Sequence, residues 1–448
     1  MEAKEIEMLS ISKDSIWWYQ ILLISLFITL FSVSQGYSQS SGGRSEVTFE
    51  NQISDNTSQQ AADSLIQSLV NQTNLDTLVH YVNVLSGEDS VIIGDSTYLL
   101  VSRNPLHSHN ELAAEFIFQT LNGFGLSTYS QVYSSNGRNI YSVLTGTAYP
   151  DQKFILCAHY DDSPFQPPAP GADDNAGGTA AVLEAARILS RVSTPYTLIF
   201  ALWDEEEIGH IGSNYFAEQV YQNGENISGV INLDMIGWDS NNDGLMDIHT
   251  RPIANSVPLA ILARSMRGTY QINLFPVIYN PGIEDSDHLS FWKRGYSALL
   301  LTEAYYGGDF NPYYHSANDR IIHFNLNYFH AQAKLAVATI AHLGFYDITS
   351  GRLDTWHETP LLDLQLNQNY PNPFNPRTVI RWQLAVGSSV KLIVYNPLGQ
   401  TVKILVDEWQ TAGIHSIEFE GSSLPSGVYL YRLEAGDFAE VRKMILMK

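Results

Sequence analysis

Four consecutive acids, Asp204 to Glu207, stand in the stretch TLIFALWDEEEIGHIGS directly behind six apolar residues, 198–203. An apolar run of this kind reads as a buried strand. A block of like charge at its end is costly unless it meets water or a cation. Residues of matching chemistry recur elsewhere: His159 and Asp161 follow KFILCA, and Asp234 closes GVINLD. The turn GADDNAGG (171–178) carries Asp173 and Asp174, and YYHSANDR (313–320) carries His315. Imidazole nitrogen with carboxylate oxygen is a zinc donor set, and a mixed set that leaves a coordination position open marks a catalytic site. Each piece alone also has a plain structural explanation, since Asp173 or Asp174 could cap the following helix and the glutamates could be solvated. Asp234 is the exception, because a carboxylate inside the apolar run VINLDMIG needs a cationic partner.

The segments that must position these groups alternate in type. Strand-like runs at 153–158, 196–203, 229–236 and 297–303 are separated by helix-like runs at 177–192 and 213–221. A long apolar helix at 326–344 follows, with Gly344 as its expected stop. This grammar predicts an α/β domain with a mostly parallel central sheet flanked by helices. Ligands in such sheets bind at the carboxyl ends of the strands, where the acids and histidines lie. After Gly351 the pattern changes to short alternating runs broken by Gly, Pro and Ser, which predicts a small C-terminal all-β sandwich. The expected boundaries are a signal peptide at 1–38, a flexible leader at 39–64, a catalytic domain at 65–346, a polar linker at 347–360 and the sandwich at 361–448.

With 448 residues and 44% hydrophobic content, the chain can bury a large core in more than one domain. The formal net charge is −23, and the C-terminal 361–448 is balanced, so the excess of acid sits mainly in 41–360. That argues against nucleic acid as a partner and suits a cationic substrate terminus. Residues 15–43 are uncharged, with an apolar core at 21–31 followed by small and polar residues, as in a secretory signal; no membrane span is expected once it is removed. The single cysteine, Cys157, lies in an apolar run and cannot form an intrachain disulfide.

Taken in order, AHYDD, GADDNAGG, WDEEEIGHIGS, NLDMIG and YHSANDR resemble the dizinc exopeptidases of metallopeptidase family 28, over about 65–346. The resemblance implies a zinc exopeptidase fold and a centre of two zinc ions. His159, Asp174 and Asp234 would hold one ion, Glu207 and His315 the other, and Asp174 would bridge them; which aspartate and histidine share an ion needs the fold. It implies Glu206 as general base, Asp161 as the carboxylate that orients His159, and a cis peptide bond between Asp174 and Asn175. Tyr314 is an oxyanion donor in some such proteins. The segments LNQNYPNPFNPRTVIRWQL, VYNPLGQTVKILV and RKMILMK resemble the sorting domain read by type IX secretion systems. Together the two resemblances imply an aminopeptidase, secreted or attached to the cell surface, acting on peptides with a free N-terminus.

Two other activities share the resemblance: a glutaminyl cyclase on the same fold, and a non-catalytic binding protein. The cyclase branch is expected to carry an insertion after its paired glutamates, where this chain continues directly as EEIGHIGS. Separately, Asp239, Asn241, Asp243 and Asp247 fall at positions 1, 3, 5 and 9 of a calcium loop, with Gly244 at position 6, but position 12 is Thr250 rather than Glu. Calcium here competes with a plain Asn-Asp-Gly turn. The tripeptide SDH (286–288) reads as supporting structure.

Overall fold

The computed structural model describes residues 61–164, 167–346, 365–384, 388–410, 413–436 and 438–448. The expected signal peptide and linker lie outside these residues. A helix already occupies 61–70, earlier than the ordered segment was expected to begin, and Ile66, Leu69 and Val70 on it are buried. Among the described residues no helix is long and apolar enough to cross a membrane.

After the 61–70 helix, two further helices, α1 (Leu75–Leu85) and α2 (Ser108–Gly123), precede an eight-stranded mixed sheet. Its elements in chain order are β1 (Ser127–Val132), β2 (Arg138–Leu144), β3 (Tyr149–His159), α3 (Gly178–Leu189), β4 (Tyr196–Trp203), α4 (Ile211–Gln222) and β5 (Asn226–Leu233). They continue with β6 (Leu245–His249), α5 (Ser256–Thr269), β7 (Phe275–Tyr279), α6 (His288–Trp292), β8 (Ala298–Glu303) and α7 (Leu326–Phe345). The strand order is β1-β2-β4-β3-β5-β8-β6-β7. The four central strands β4, β3, β5 and β8 run parallel, and antiparallel neighbours extend the sheet on either side. Helices cover both faces of these central strands, so β4 and β8 are buried along their whole length and are mainly apolar rather than alternating.

Register brings the chemical residues to one edge. His159 pairs with Trp203, so the acids after β4 emerge beside it; on the other side Cys157 pairs with Asn232, which carries Asp234 to the level of His159. Gly344 is not a helix stop. It lies within α7, where a Cβ would come within 3.0 Å of Thr194 and 3.1 Å of Leu198, so its role is close packing of the helix on the sheet. Cys157 is buried, as a small core residue would be.

The C-terminal region has its own core. Strands β9 (Gln365–Leu366), β10 (Arg377–Leu384) and β13 (Gly413–Glu420) form one antiparallel sheet in the order β9-β10-β13. Strands β11 (Ser388–Tyr395), β12 (Thr401–Gln410), β14 (Gly427–Ala435) and β15 (Phe438–Leu446) form a second in the order β12-β11-β14-β15. Phe374, Trp382, Leu392, Tyr431 and Leu446 fill the space between them. The alternation of buried and exposed residues along β14 is what a sheet packed on one face requires.

Candidate metal centre

His159 ends β3 and is fully buried; its carbonyl accepts the Thr179 hydroxyl from α3 at 2.8 Å. Its Nε2 lies 3.4 Å from Asp174 Oδ1 and 3.4 Å from Asp234 Oδ1. On the far side of Asp174, Oδ2 is 3.2 Å from His315 Nε2, and that nitrogen is 2.9 Å from Glu207 Oε2. One carboxylate therefore faces two imidazoles through different oxygens. Donor atoms of His159, Glu206 and Asp234 lie within 4.8 Å of one another, as do those of His159, Asp174 and Glu207.

The donors fit a cation. His159 Nε2, Glu207 Oε1 and Asp234 Oδ1 are buried without a hydrogen-bond partner, and protein interiors rarely leave such atoms unsatisfied. The protein electrostatics reveal the same deficit. Burial and the neighbouring Asp174 push Glu207 up to about 9, and burial holds Glu206 well above the usual carboxylate range. Burial disfavours the His315 imidazolium, yet its hydrogen bonds to Asp174 and Glu207 raise it to about 10. With no cation, these carboxylates can be accommodated only by taking up protons or by drawing charge onto the histidines.

Positioning falls to groups around the donors. Asp161 Oδ1 accepts the backbone N–H of Glu206 and Oδ2 that of Glu207, both at 3.1 Å, while Oδ1 also lies 3.4 Å from His159 Nδ1. The residue expected only to orient His159 thus also fixes the backbone of both glutamates. Asp319 accepts the N–H groups of Asp173 and Asp174 at 3.0–3.1 Å. Asp173 in turn accepts from Gly237 and Asn311. Asn175 donates to the Leu233 carbonyl at the end of β5 and accepts from Gly178. The peptide bond between Asp174 and Asn175 is cis. Ser286, read as supporting structure, donates to Asp234 Oδ2 at 2.7 Å and accepts from Asn232.

Beneath the loops lies Arg103, fully buried and more than thirty residues before His159. Its guanidinium donates to the carbonyls of Tyr160, Pro170 and Gly171 at 2.7–2.8 Å, and Asp162 balances its charge at 3.4 Å. It thereby ties the segment carrying His159 and Asp161 to the turn carrying Asp174. Sequence reading missed Arg103 and Asp319, and named Asn175 only for the cis bond and Ser286 only as supporting structure. Asp319 alone offered a signal, as an acid four residues after His315 in the same loop.

The remaining expected residues divide. Tyr314 is partly exposed at the site and its ring stacks on His315 with centroids 3.7 Å apart, making no hydrogen bond among the described residues. Glu206 Oε1 meets His210 Nε2 at 3.1 Å. Asp204, expected near metal or solvent, is neither: it is fully buried and accepts from Asn110 and from the backbone of Arg138 and Glu205. The calcium-loop residues are each engaged by backbone N–H groups. Asp239, Asn241 and Asp243 accept N–H groups of their own turn, as in an Asx turn. Asp247 is directed elsewhere, accepting from the Tyr306 backbone at 2.7 Å beside His249.

The family model described as peptidase family M28 matches residues 139–340. Those residues are an M28 peptidase domain. Residues 368–447 match a secretion system C-terminal sorting domain. A protein of Pyrenophora tritici-repentis named "Probable zinc metalloprotease" is 32% identical over 200 residues, 37% of this chain and 41% of that protein. One of Arthroderma otae named "Probable leucine aminopeptidase" is 29% identical over 220 residues, 46% of this chain and 56% of that protein. The chain thus spans about two fifths to just over half the length of these curated relatives. Among solved structures, the LapA aminopeptidase of Legionella pneumophila superposes with a TM-score of 0.54 at 18% identity, covering 63% of this chain and 75% of LapA. A glutaminyl cyclase of Bacteroides thetaiotaomicron gives 0.50 at 18% identity, covering 60% of this chain and 98% of the cyclase. The M28 domain therefore shares its fold with both an aminopeptidase and a cyclase, and the fold alone does not choose between them.

Proposed function

We propose that the chain is a secreted zinc-dependent aminopeptidase that hydrolyses the N-terminal bond of peptides. The observation that carries this reading is the placement of Asp174, one oxygen toward His159 and the other toward His315. Asp174 would bridge two zinc ions, with His159 and Asp234 completing one ligand set and Glu207 and His315 the other. Bound zinc would polarise the scissile carbonyl and acidify the attacking water. Glu206, half-buried beside this set and in contact with His210 rather than with His159 or His315, takes the water's proton and delivers it to the departing amine. Asp161 holds Glu206 and Glu207 in register through their backbone N–H groups. Tyr314 lines the same cavity and supplies a hydroxyl donor to the developing oxyanion. The acidic surroundings favour a free α-amine. Export is assigned to the C-terminal module through type IX machinery.

A glutaminyl cyclase is the second reading, favoured by the shared fold. The chain enters α4 at Ile211, four residues after Glu207, with no insertion there. A panel of free, N-acetylated and N-terminal glutamine peptides separates the activities. The free peptides should release their first residue, and acetylation should remove most of kcat/KM. Comparable cleavage of the acetylated peptide, or pyroglutamyl product alone, would overturn the aminopeptidase reading.

A further inference from the structure

A cavity of about 260 Å³ opens beside Asp174, Glu206, Glu207 and Asp234. Its walls include Met235, Ile283, Leu300, Phe310 and Tyr314, an apolar surface suited to a substrate side chain. One further charged residue lines it, Asp285, and no lining residue is cationic. Asp285 sits on a segment held from both sides. Arg251 donates to the Gly282 carbonyl at 3.0 Å and pairs with Glu284, while Ser286 is fixed on Asp234 at 2.7 Å. Between these anchors Asp285 is exposed and makes no hydrogen bond or ion pair among the described residues. Its neighbour Glu284 is engaged by Arg251 and is not part of the cavity lining; Asp285 keeps an unpaired carboxylate on it.

We propose that Asp285 is a specificity-determining residue that adapts this cavity to a basic N-terminal residue, lysine or arginine, alongside aliphatic ones. A long cationic side chain can lay its methylene stem on the apolar wall and bring its charged end to the carboxylate at the rim. Leucine or methionine uses the wall alone. This assignment rests on the aminopeptidase reading. Because Asp285 is exposed, solvent screens the pair and the expected effect is moderate.

The test compares kcat/KM of the full chain, loaded with zinc, on p-nitroanilides of Lys, Arg, Leu and Met, for wild type, Asp285→Asn and Asp285→Lys. The Lys/Leu and Arg/Met ratios should fall roughly fivefold in Asp285→Asn and more than about tenfold in Asp285→Lys, where attraction becomes repulsion. Ratios that stay at the wild-type value would overturn the proposal. So would an equal loss on all four substrates, since that places the carboxylate on the α-amine they share. Wild-type protein that turns over none of the four would fail one step earlier, against the aminopeptidase reading, and would carry the Asp285 assignment down with it.

Discussion

The M28 domain and the C-terminal sandwich handle polar groups in opposite ways. In the sandwich, Arg377 and Glu420 pair on the surface, and the interior between the sheets is filled by side chains such as Trp382, Leu392 and Leu446. In the M28 domain and the segment that leads into it, Arg103, His159, Asp161, Asp173, Asp204, Glu303 and Asp319 are all buried. Most are satisfied by backbone groups, and the unsatisfied atoms include those that face one another at the strand ends: His159 Nε2, Glu207 Oε1 and Asp234 Oδ1. A module that packs can keep its charges in water. A module that performs chemistry at a buried site must carry charge inside and support it with a shell of fixed donors.

The largest effect should come from Glu206→Gln. It retains shape and hydrogen bonding and removes only the proton acceptor, so kcat should fall by about 10²–10⁴ while zinc content stays at the wild-type level. Loss of zinc in parallel with activity would show that Glu206 is a ligand instead. Next is Arg103→Met, which removes the balancing charge from buried Asp162 and the donor from four buried carbonyls, those of Leu85, Tyr160, Pro170 and Gly171. We expect about 3–5 kcal/mol of lost stability in urea titration of the M28 domain. Arg377→Ala, which opens an exposed, solvent-screened pair in the sandwich, should leave stability close to that of wild type. Similar losses for the two would erase the contrast between the regions.

Truncation after Tyr346 probes the same contrast at the level of whole modules. Each region has its own core, so the shortened chain should hydrolyse peptides at close to the full-length rate yet remain inside the producing cell. Normal export of the truncated chain would remove the sorting role of the C-terminal module.

Much of this arrangement was legible in the sequence where one physical demand dominates. The apolar run Tyr196–Trp203 is a strand with those same bounds, because a central parallel strand is buried on both faces. His159, Asp174, Glu206, Glu207, Asp234 and His315 stood out through the order of the motifs that carry them and their resemblance to family 28, since taken singly only Asp234 lacked a plain structural explanation. What sequence pattern did not reveal depends on contacts between distant segments. Arg103 carries no local signature, since its partners lie at Tyr160, Pro170 and Gly171. Asp204 was misread because its own neighbours are acidic, while the groups that satisfy it come from Asn110 and Arg138. The calcium spacing likewise says nothing of where Asp247 points: it lies in a strand, where its side chain is directed by the pleat and not by the preceding turn. Gly344 looked like a helix stop, and only the closeness of Thr194 and Leu198 shows that it is a packing position.

The central claim is that Asp174 is shared by two metal ions. Zinc-edge anomalous diffraction from crystals of the full chain tests it most directly. Two zinc peaks are expected to flank the Asp174 carboxylate, one beside His159 and Asp234 and the other beside His315 and Glu207. A single peak on one side of Asp174, or zinc bound only away from these residues, would contradict it.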